Sequence, residues 1–245
     1  MNNNKYYKRT IMKESINSKI LGETRTMRVY LPPGYDERMT YSVVYCQDGE
    51  QFFNFGRIAT TAAHLILDEG IEPFIIVGVD VNMDRRTDDY APEGARHIAY
   101  KQFFTEEMMG HIEAQYPVRA TPDERILAGD SLGGTVSLHL ALDHPDRFHN
   151  VLSLSGAFLS GTEQALSAAS DLSWLHMYQL IGSDETAVRT DRGVFDFLSA
   201  NRSVRDQLEK RSAELLYVEK PGEHLWGFWQ NELAHALRWF LGSNV

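Results

Sequence analysis

Short apolar runs alternate with helix-length segments along nearly the whole chain, and that rhythm restricts the fold more than any other feature. Residues 41–46 (YSVVYC), 73–79 (PFIIVGV), 124–128, 151–154, 176–181 and 214–218 read as strands. Most of them lack a polar alternation, so both of their faces must be covered. Between them lie segments of helical length: Ile58–Glu69 closed by Gly70, 100–116 stopped by Pro117, 132–142 ended before Pro145, a short piece at 163–169, then 191–211 and 226–241. The last carries Trp226, Trp229, Leu233, Leu237 and Phe240 on one stripe. Strands of this kind interleaved with helices predict an α/β fold, a mostly parallel sheet with helices on both faces. An antiparallel hairpin should open it, from a β-leaning stretch at 10–20 through a turn at Gly22-Glu23 to a second run at 24–31 that ends in Pro32-Pro33-Gly34.

The alternation uses up the chain of 245 residues without a repeat or a Pro/Gly/Ser linker, so one domain over 1–245 is expected, with residues 1–9 flexible. Lys and Arg total 24 against 34 Asp and Glu, a formal charge of −10. A chain this acidic and without a basic run is repelled by nucleic acid and by anionic membranes, so neither is expected as a partner. No stretch approaches the roughly 18 apolar residues that cross a bilayer. The start has charge but no apolar segment behind it, unlike a secretory signal, and a cytoplasmic protein is expected. Cys46 is the only cysteine, which excludes an internal disulfide and a multi-Cys metal site. Residues 80–84 begin like a calcium loop, but Arg85 stands where that loop needs glycine and Ala91 where it needs glutamate, so no metal is expected. No other cofactor signature is present.

In open α/β sheets ligands bind beyond the carboxyl ends of the strands. One such junction carries chemistry: Gly129-Asp130-Ser131-Leu132-Gly133 leaves the apolar strand and enters a helix with no loop between. This is the arrangement of a nucleophile elbow, in which a sharp turn presents the serine hydroxyl and crowds its neighbours, so that small residues are needed two positions to either side. A phosphate-binding loop would need a following Lys-Ser/Thr, and none is there. Ser131 is therefore the candidate nucleophile.

Such a serine needs a base, and this architecture orders the partners as serine, acid, histidine. Of nine histidines, His224 alone sits in a turn between the last strand and the last helix, Pro221-Gly222-Glu223-His224. His139, His144 and His149 read as solvated, and His97 lies in a loop from which it could reach the mouth of a site. The acid should follow the preceding strand, where Gly182-Ser183-Asp184-Glu185 supplies two carboxylates. Glu185, three residues after the glycine, is favoured, and Asp184 is the alternative. Two backbone donors must meet the developing oxyanion. The N–H of Leu132, next after the serine, is one; the second is assigned to Glu50 in Gln47-Asp48-Gly49-Glu50. Arg86 is a candidate for the substrate rim, and Trp226, beside His224, for the wall of the pocket.

Several separated motifs together resemble the esterase D / enterochelin-esterase group of α/β-hydrolases: Tyr30-Leu31-Pro32-Pro33-Gly34-Tyr35, Val44-Tyr45-Cys46-Gln47-Asp48-Gly49, Arg86-Thr87-Asp88-Asp89-Tyr90, Ala128 through Gly134, His144-Pro145-Asp146-Arg147-Phe148, Leu154-Ser155-Gly156 and Gly222-Glu223-His224-Leu225-Trp226. The likeness runs from about Leu21 to the end of the chain. It implies a serine carboxylic-ester hydrolase that needs no metal and acts on a small-molecule aryl, sugar or siderophore-type ester. An acyltransferase with the same residues, or a non-catalytic binding protein on this scaffold, are the alternatives. The stretch between Gly156 and Leu175 is short, so an open site without a large lid is expected, as is the absence of an added N-terminal domain.

Overall fold

Two antiparallel strands open the molecule. β1 (Thr10–Ser18) and β2 (Glu23–Leu31) pair from Thr10 opposite Leu31 to Ser18 opposite Glu23. The turn between them holds Gly22 at a φ of 69°, a left-handed conformation that glycine adopts without steric cost. These features come from a computed structural model that describes residues 10–242; the flexibility expected of residues 1–9 falls outside that range.

β3 (Val43–Cys46) leads into a short helix, α1 (Gly49–Asn54), and then α2 (Ile58–Glu69), which ends on Gly70. β4 (Ile75–Val79) follows, then α3 (Arg86–Tyr90) and a helical run made of α4 (His97–Gln102), a π-helical stretch over Phe103–Met108, and α5 (Met109–Gln115). β5 (Arg125–Asp130) passes into α6 (Leu132–Asp143), and β6 (Asn150–Leu154) into α7 (Ser160–Ala168). β7 (His176–Gly182) precedes a small hairpin of β8 (Val188–Thr190) and β9 (Gly193–Phe195), then α8 (Phe197–Glu209) and β10 (Glu214–Lys220). α9 (Trp226–Trp229) and α10 (Leu233–Leu241) close the chain.

The main sheet has the order β1-β2-β4-β3-β5-β6-β7-β10, parallel throughout except where β2 pairs with β1 and β4. Alternate strand residues supply opposite cores. Val43, Tyr45, Val77, Leu127 and Val151 join Phe103, Phe104, Val136 and Leu140 on one side. Val44, Cys46, Ile76, Ile126 and Leu152 join Phe52, Ile58, Leu65, Leu233 and Leu237 on the other. Each fully buried large side chain contributes about 1.5–3 kcal/mol, which is why the strand sequences are apolar on both parities. From β3 the chain moves outward to β4 and then crosses back over β3 to β5. The sheet's direction of growth therefore reverses between β3 and β5, and an open crevice lies at their carboxyl ends.

Several expectations need correcting. The helix expected over 191–211 begins only at Phe197: Gly193, at φ 130°, turns the β8–β9 hairpin, and Asp196 caps the helix by accepting from the Ser199 N–H at 2.8 Å. The last helix is interrupted by a 3-10 turn over Gln230–Glu232, although Trp229, Leu233 and Leu237 are buried as its stripe predicts. His139, expected to be solvated, is buried on α6, where its Nε2 lies 3.1 Å from the Thr162 hydroxyl, and burial lowers its pKa to about 4. α6 is covered all round, so no face of it is left for water. His97 is also buried, with Nδ1 against the Asp89 carbonyl at 3.2 Å and its ring edge-on to His139, and it does not reach a site mouth. Among the described residues no helix is long and apolar enough to cross a membrane.

Candidate active site

Ser131 stands between β5 and α6 with φ 52° and ψ −122°, outside the regions that L-residues ordinarily occupy. Its backbone is pinned from two sides: its N–H donates to the Leu154 carbonyl at 2.9 Å, and its carbonyl accepts from the Ala157 N–H at 3.0 Å. The glycines around it are required by packing. A Cβ on Gly129 would lie 2.1 Å from the backbone carbon of Gly133, and one on Gly134 2.8 Å from the Ser153 hydroxyl. Among the described residues neither the Ser131 hydroxyl nor the Leu132 N–H is engaged in a hydrogen bond.

The strands that carry the other candidates end alongside. Ser183 N–H donates to the Lys220 carbonyl and Asp184 N–H to the Gly222 carbonyl, which fastens the loop after β7 to the loop after β10. A Cβ on Gly182 would sit 2.2 Å from the Gly222 oxygen, so only glycine lets the two loops approach this closely. His224 Nδ1 lies 2.6 Å from Glu185 Oε2. A carboxylate can only accept, so Nδ1 carries the proton and Nε2 of the neutral ring is left with its lone pair. Glu185 has no solvent exposure, and its other oxygen accepts from the Ser155 hydroxyl at 2.5 Å and the Gly182 N–H at 2.9 Å. Ser155 in turn accepts from Trp229 Nε1 at 2.8 Å. Asp184 is exposed. The ring of His224 is held between Phe197, 4.9 Å away, and the edge of Trp229, also 4.9 Å away. Phe197 also lines the cleft that contains Ser131, so one aromatic side chain borders both the imidazole and that cleft.

Glu50 lies in the first turn of α1, its carboxylate paired with Arg28 at 3.2 Å and largely in solvent, its N–H without an acceptor among the described residues. Gly49 and Gly78 allow α1 to lie directly on β4, since a Cβ on Gly49 would fall 2.3 Å from the Gly78 carbonyl carbon. Arg86 does border the cleft, but its guanidinium is committed: Nε and Nη2 reach the two oxygens of Asp48 at 2.9 and 2.7 Å, and Nη2 lies 3.3 Å from the Asp130 carbonyl. Asp48 and Asp130 are both buried. Burial, then the Asp48 charge, push the Asp130 carboxyl up to about 7 against the opposing pull of Arg86.

The cleft encloses about 340 Å³. Leu132, Ala157, Leu159, Phe195 and Phe197 give it an apolar wall, and Thr190 and Arg192 line it from the β8–β9 hairpin. The segment after β7 thus contributes more of the lining than the short stretch between Gly156 and Leu175, which supplies only Ala157 and Leu159. Trp226 does not line the cleft; it packs edge-on over Phe52 at 4.8 Å and donates to Gln51 Oε1 at 3.0 Å. Sequence reasoning missed the support that Ser155 and Trp229 give Glu185. A polar residue ahead of a glycine at the end of a buried strand, as in Leu154-Ser155-Gly156, was the available signal. Among the described residues no group of three or more His, Cys, Asp or Glu side chains is placed to hold a metal ion.

The family model described as "Putative esterase" matches residues 18–240. Uncharacterized protein YjcH of Bacillus subtilis (strain 168) is 35% identical over 231 residues, covering 94% of this chain and 96% of its own length. Iron(III) salmochelin esterase of Escherichia coli O6:H1 is 29% identical, covering 89% of this chain and 54% of that protein. Among solved structures, a ferulic acid esterase superimposes with a TM-score of 0.80 at 18% identity, covering 95% of this chain and 98% of its own. The enterobactin esterase FES of Shigella flexneri does so with 0.80 at 19% identity, covering 94% and 59%. At these identities the structural likeness is one of fold, an α/β-hydrolase sheet with an antiparallel start.

Proposed function

The chain belongs to this esterase family, and from that premise we propose that it is a serine carboxylic-ester hydrolase working through an acyl-enzyme. The observation that carries the reading is the 2.6 Å contact between His224 Nδ1 and the fully buried Glu185. A carboxylate sequestered in this way and satisfied on its other oxygen by two donors is suited to fix an imidazole tautomer. Ser131 Oγ attacks the ester carbonyl while His224 Nε2 takes its proton. Glu185 stabilises the imidazolium that results. The Leu132 and Glu50 N–H groups receive the oxyanion, and their unpaired state supports that role. Collapse expels the alcohol, which leaves with the proton from Nε2. Water, deprotonated by the same nitrogen, then releases the acid and restores Ser131.

The apolar wall formed by Leu159, Phe195 and Phe197 suits an aryl or short aliphatic acyl group. Relatives named for ferulic acid, enterobactin and salmochelin esters agree with that class, and an aryl, sugar or siderophore-type ester is the proposed substrate. The test is Ser131→Ala assayed on p-nitrophenyl butyrate, together with fluorophosphonate labelling of the wild type. Turnover should fall to background while the thermal midpoint is kept, and the label should sit on Ser131. Retained turnover in the variant overturns the proposal.

A further inference from the structure

The two N–H groups assigned to the oxyanion belong to segments far apart in the chain, and the sheet stops holding those segments together before it reaches them. The last β3–β5 register pair is Cys46 opposite Ala128, and Gln47 N–H still donates to the Ala128 carbonyl at 2.8 Å. Beyond that point Asp48, Gly49 and Glu50 turn away into α1, while Asp130 and Ser131 run on to α6. What spans the gap is Arg86. Its fork grips both oxygens of Asp48, and the same Nη2 reaches the carbonyl of Asp130, the residue before the serine. The guanidinium is steadied over the Tyr90 ring at 5.4 Å, on the same short helix.

Asp48 needs such a clamp. It has φ 51° and ψ 48°, a left-handed conformation that a residue with a Cβ adopts only at a cost, and its N–H has just a 3.3 Å contact to the Tyr90 hydroxyl. Its carboxylate also lies against α6: a Cβ on Gly133 would be 3.0 Å from Asp48 Oδ2. The side chain of Asp48 is thus a spacer between α1 and the start of α6, fixed in position by two charge-assisted bonds. A buried ion pair adds little net stability compared with an apolar substitute, so its value here lies in geometry.

We propose that Arg86 is a positioning residue that sets the separation of the Glu50 and Leu132 N–H groups by clamping Asp48 to the Asp130 carbonyl. This rests on the serine-hydrolase reading, and it gives Arg86 a role other than contact with substrate. The consequence is a specific kinetic pattern. Donors displaced by a fraction of an ångström weaken binding of the tetrahedral oxyanion and leave the ground-state ester little affected.

The experiment compares Arg86→Met and Arg86→Lys with the wild type on p-nitrophenyl butyrate and measures the affinity of an alkyl trifluoromethyl ketone, whose adduct carries the oxyanion. Arg86→Met should lower kcat by about 100-fold with KM changed less than about threefold, and ketone affinity should fall by the same factor as kcat/KM. Arg86→Lys, which keeps the charge but not the fork, should recover part of both and lose about tenfold. If the methionine variant does not fold, the lysine variant decides alone. A kcat within threefold of wild type overturns the inference. So does a loss in KM with ketone affinity unchanged, which would make Arg86 a substrate contact. Should Ser131→Ala remain active, the serine reading fails first; if Ser131 is required and Arg86→Lys behaves as wild type, only the clamp is lost.

Discussion

Replacing Glu185 by glutamine tests the proposed proton relay with almost no change in volume. The direction of the effect follows from the donors around the carboxylate. Oε1 receives two, the Ser155 hydroxyl at 2.5 Å and the Gly182 N–H at 2.9 Å, while Oε2 receives one, from His224 Nδ1 at 2.6 Å. The Gly182 N–H cannot face an amide NH₂, so the glutamine oxygen must take the Oε1 place and its NH₂ must face the imidazole. Nδ1 then becomes the acceptor and the ring proton moves to Nε2, the atom that has to receive the proton of Ser131. A carboxylate-to-amide change with this outcome costs about 10⁴-fold in kcat, or about 5.5 kcal/mol at 1.36 kcal/mol for each tenfold. Steady-state kinetics on p-nitrophenyl butyrate should show that loss in kcat/KM, with fluorophosphonate labelling of Ser131 slowed in proportion and the thermal midpoint preserved. Asp184→Asn, at the exposed neighbour, should stay within about twofold of wild type, as surface changes away from a site do. A Glu185→Gln enzyme within tenfold of wild type would refute the tautomer argument, and a large loss in Asp184→Asn would move the acid to the other carboxylate.

Two further perturbations probe the ground on which the site is built. In Gly129→Ala the new methyl group would meet the Gly133 backbone at 2.1 Å, and relief requires moving α6 off β5; urea denaturation should register a loss of about 3 kcal/mol or more, and an unchanged midpoint would contradict the packing argument. For Asp130 the sign follows from linkage. Its folded pKa of about 7 lies above the unfolded value of 3.8, so the native state holds the extra proton between those limits and stability falls as pH rises from about 4 to 7. Asp130→Asn removes that dependence, so the stability of the variant relative to wild type should increase by at least about 1 kcal/mol over the same range; a difference that stays flat from pH 4 to 8 would show that Asp130 ionises normally.

Local patterns in the sequence determined the parallel sheet, its opening hairpin and the elbow around Ser131, because each is enforced within a few residues: apolar strands by burial on two faces, the glycine at 129 by the contact of strand with helix. The loop position of His224 was legible for the same reason, since chain order in a parallel sheet places the end of every strand on one edge. What the tertiary structure decided was orientation and convergence. Asp184 and Glu185 are adjacent and chemically alike, and only the fastening of the 182–185 loop to Gly222 turns one inward to His224 and the other to water. The helix-like stretch at 191–211 hid the second strand of the hairpin, Gly193–Phe195, and its pairing with Val188–Thr190, because that pairing and the Asp196 cap leave no periodic trace. Arg86 looked like a free cation at a rim until Asp48 and Asp130, distant in sequence, were brought beneath it. Side chains that act through partners remote in the chain leave no periodic trace, so only the tertiary structure could assign them.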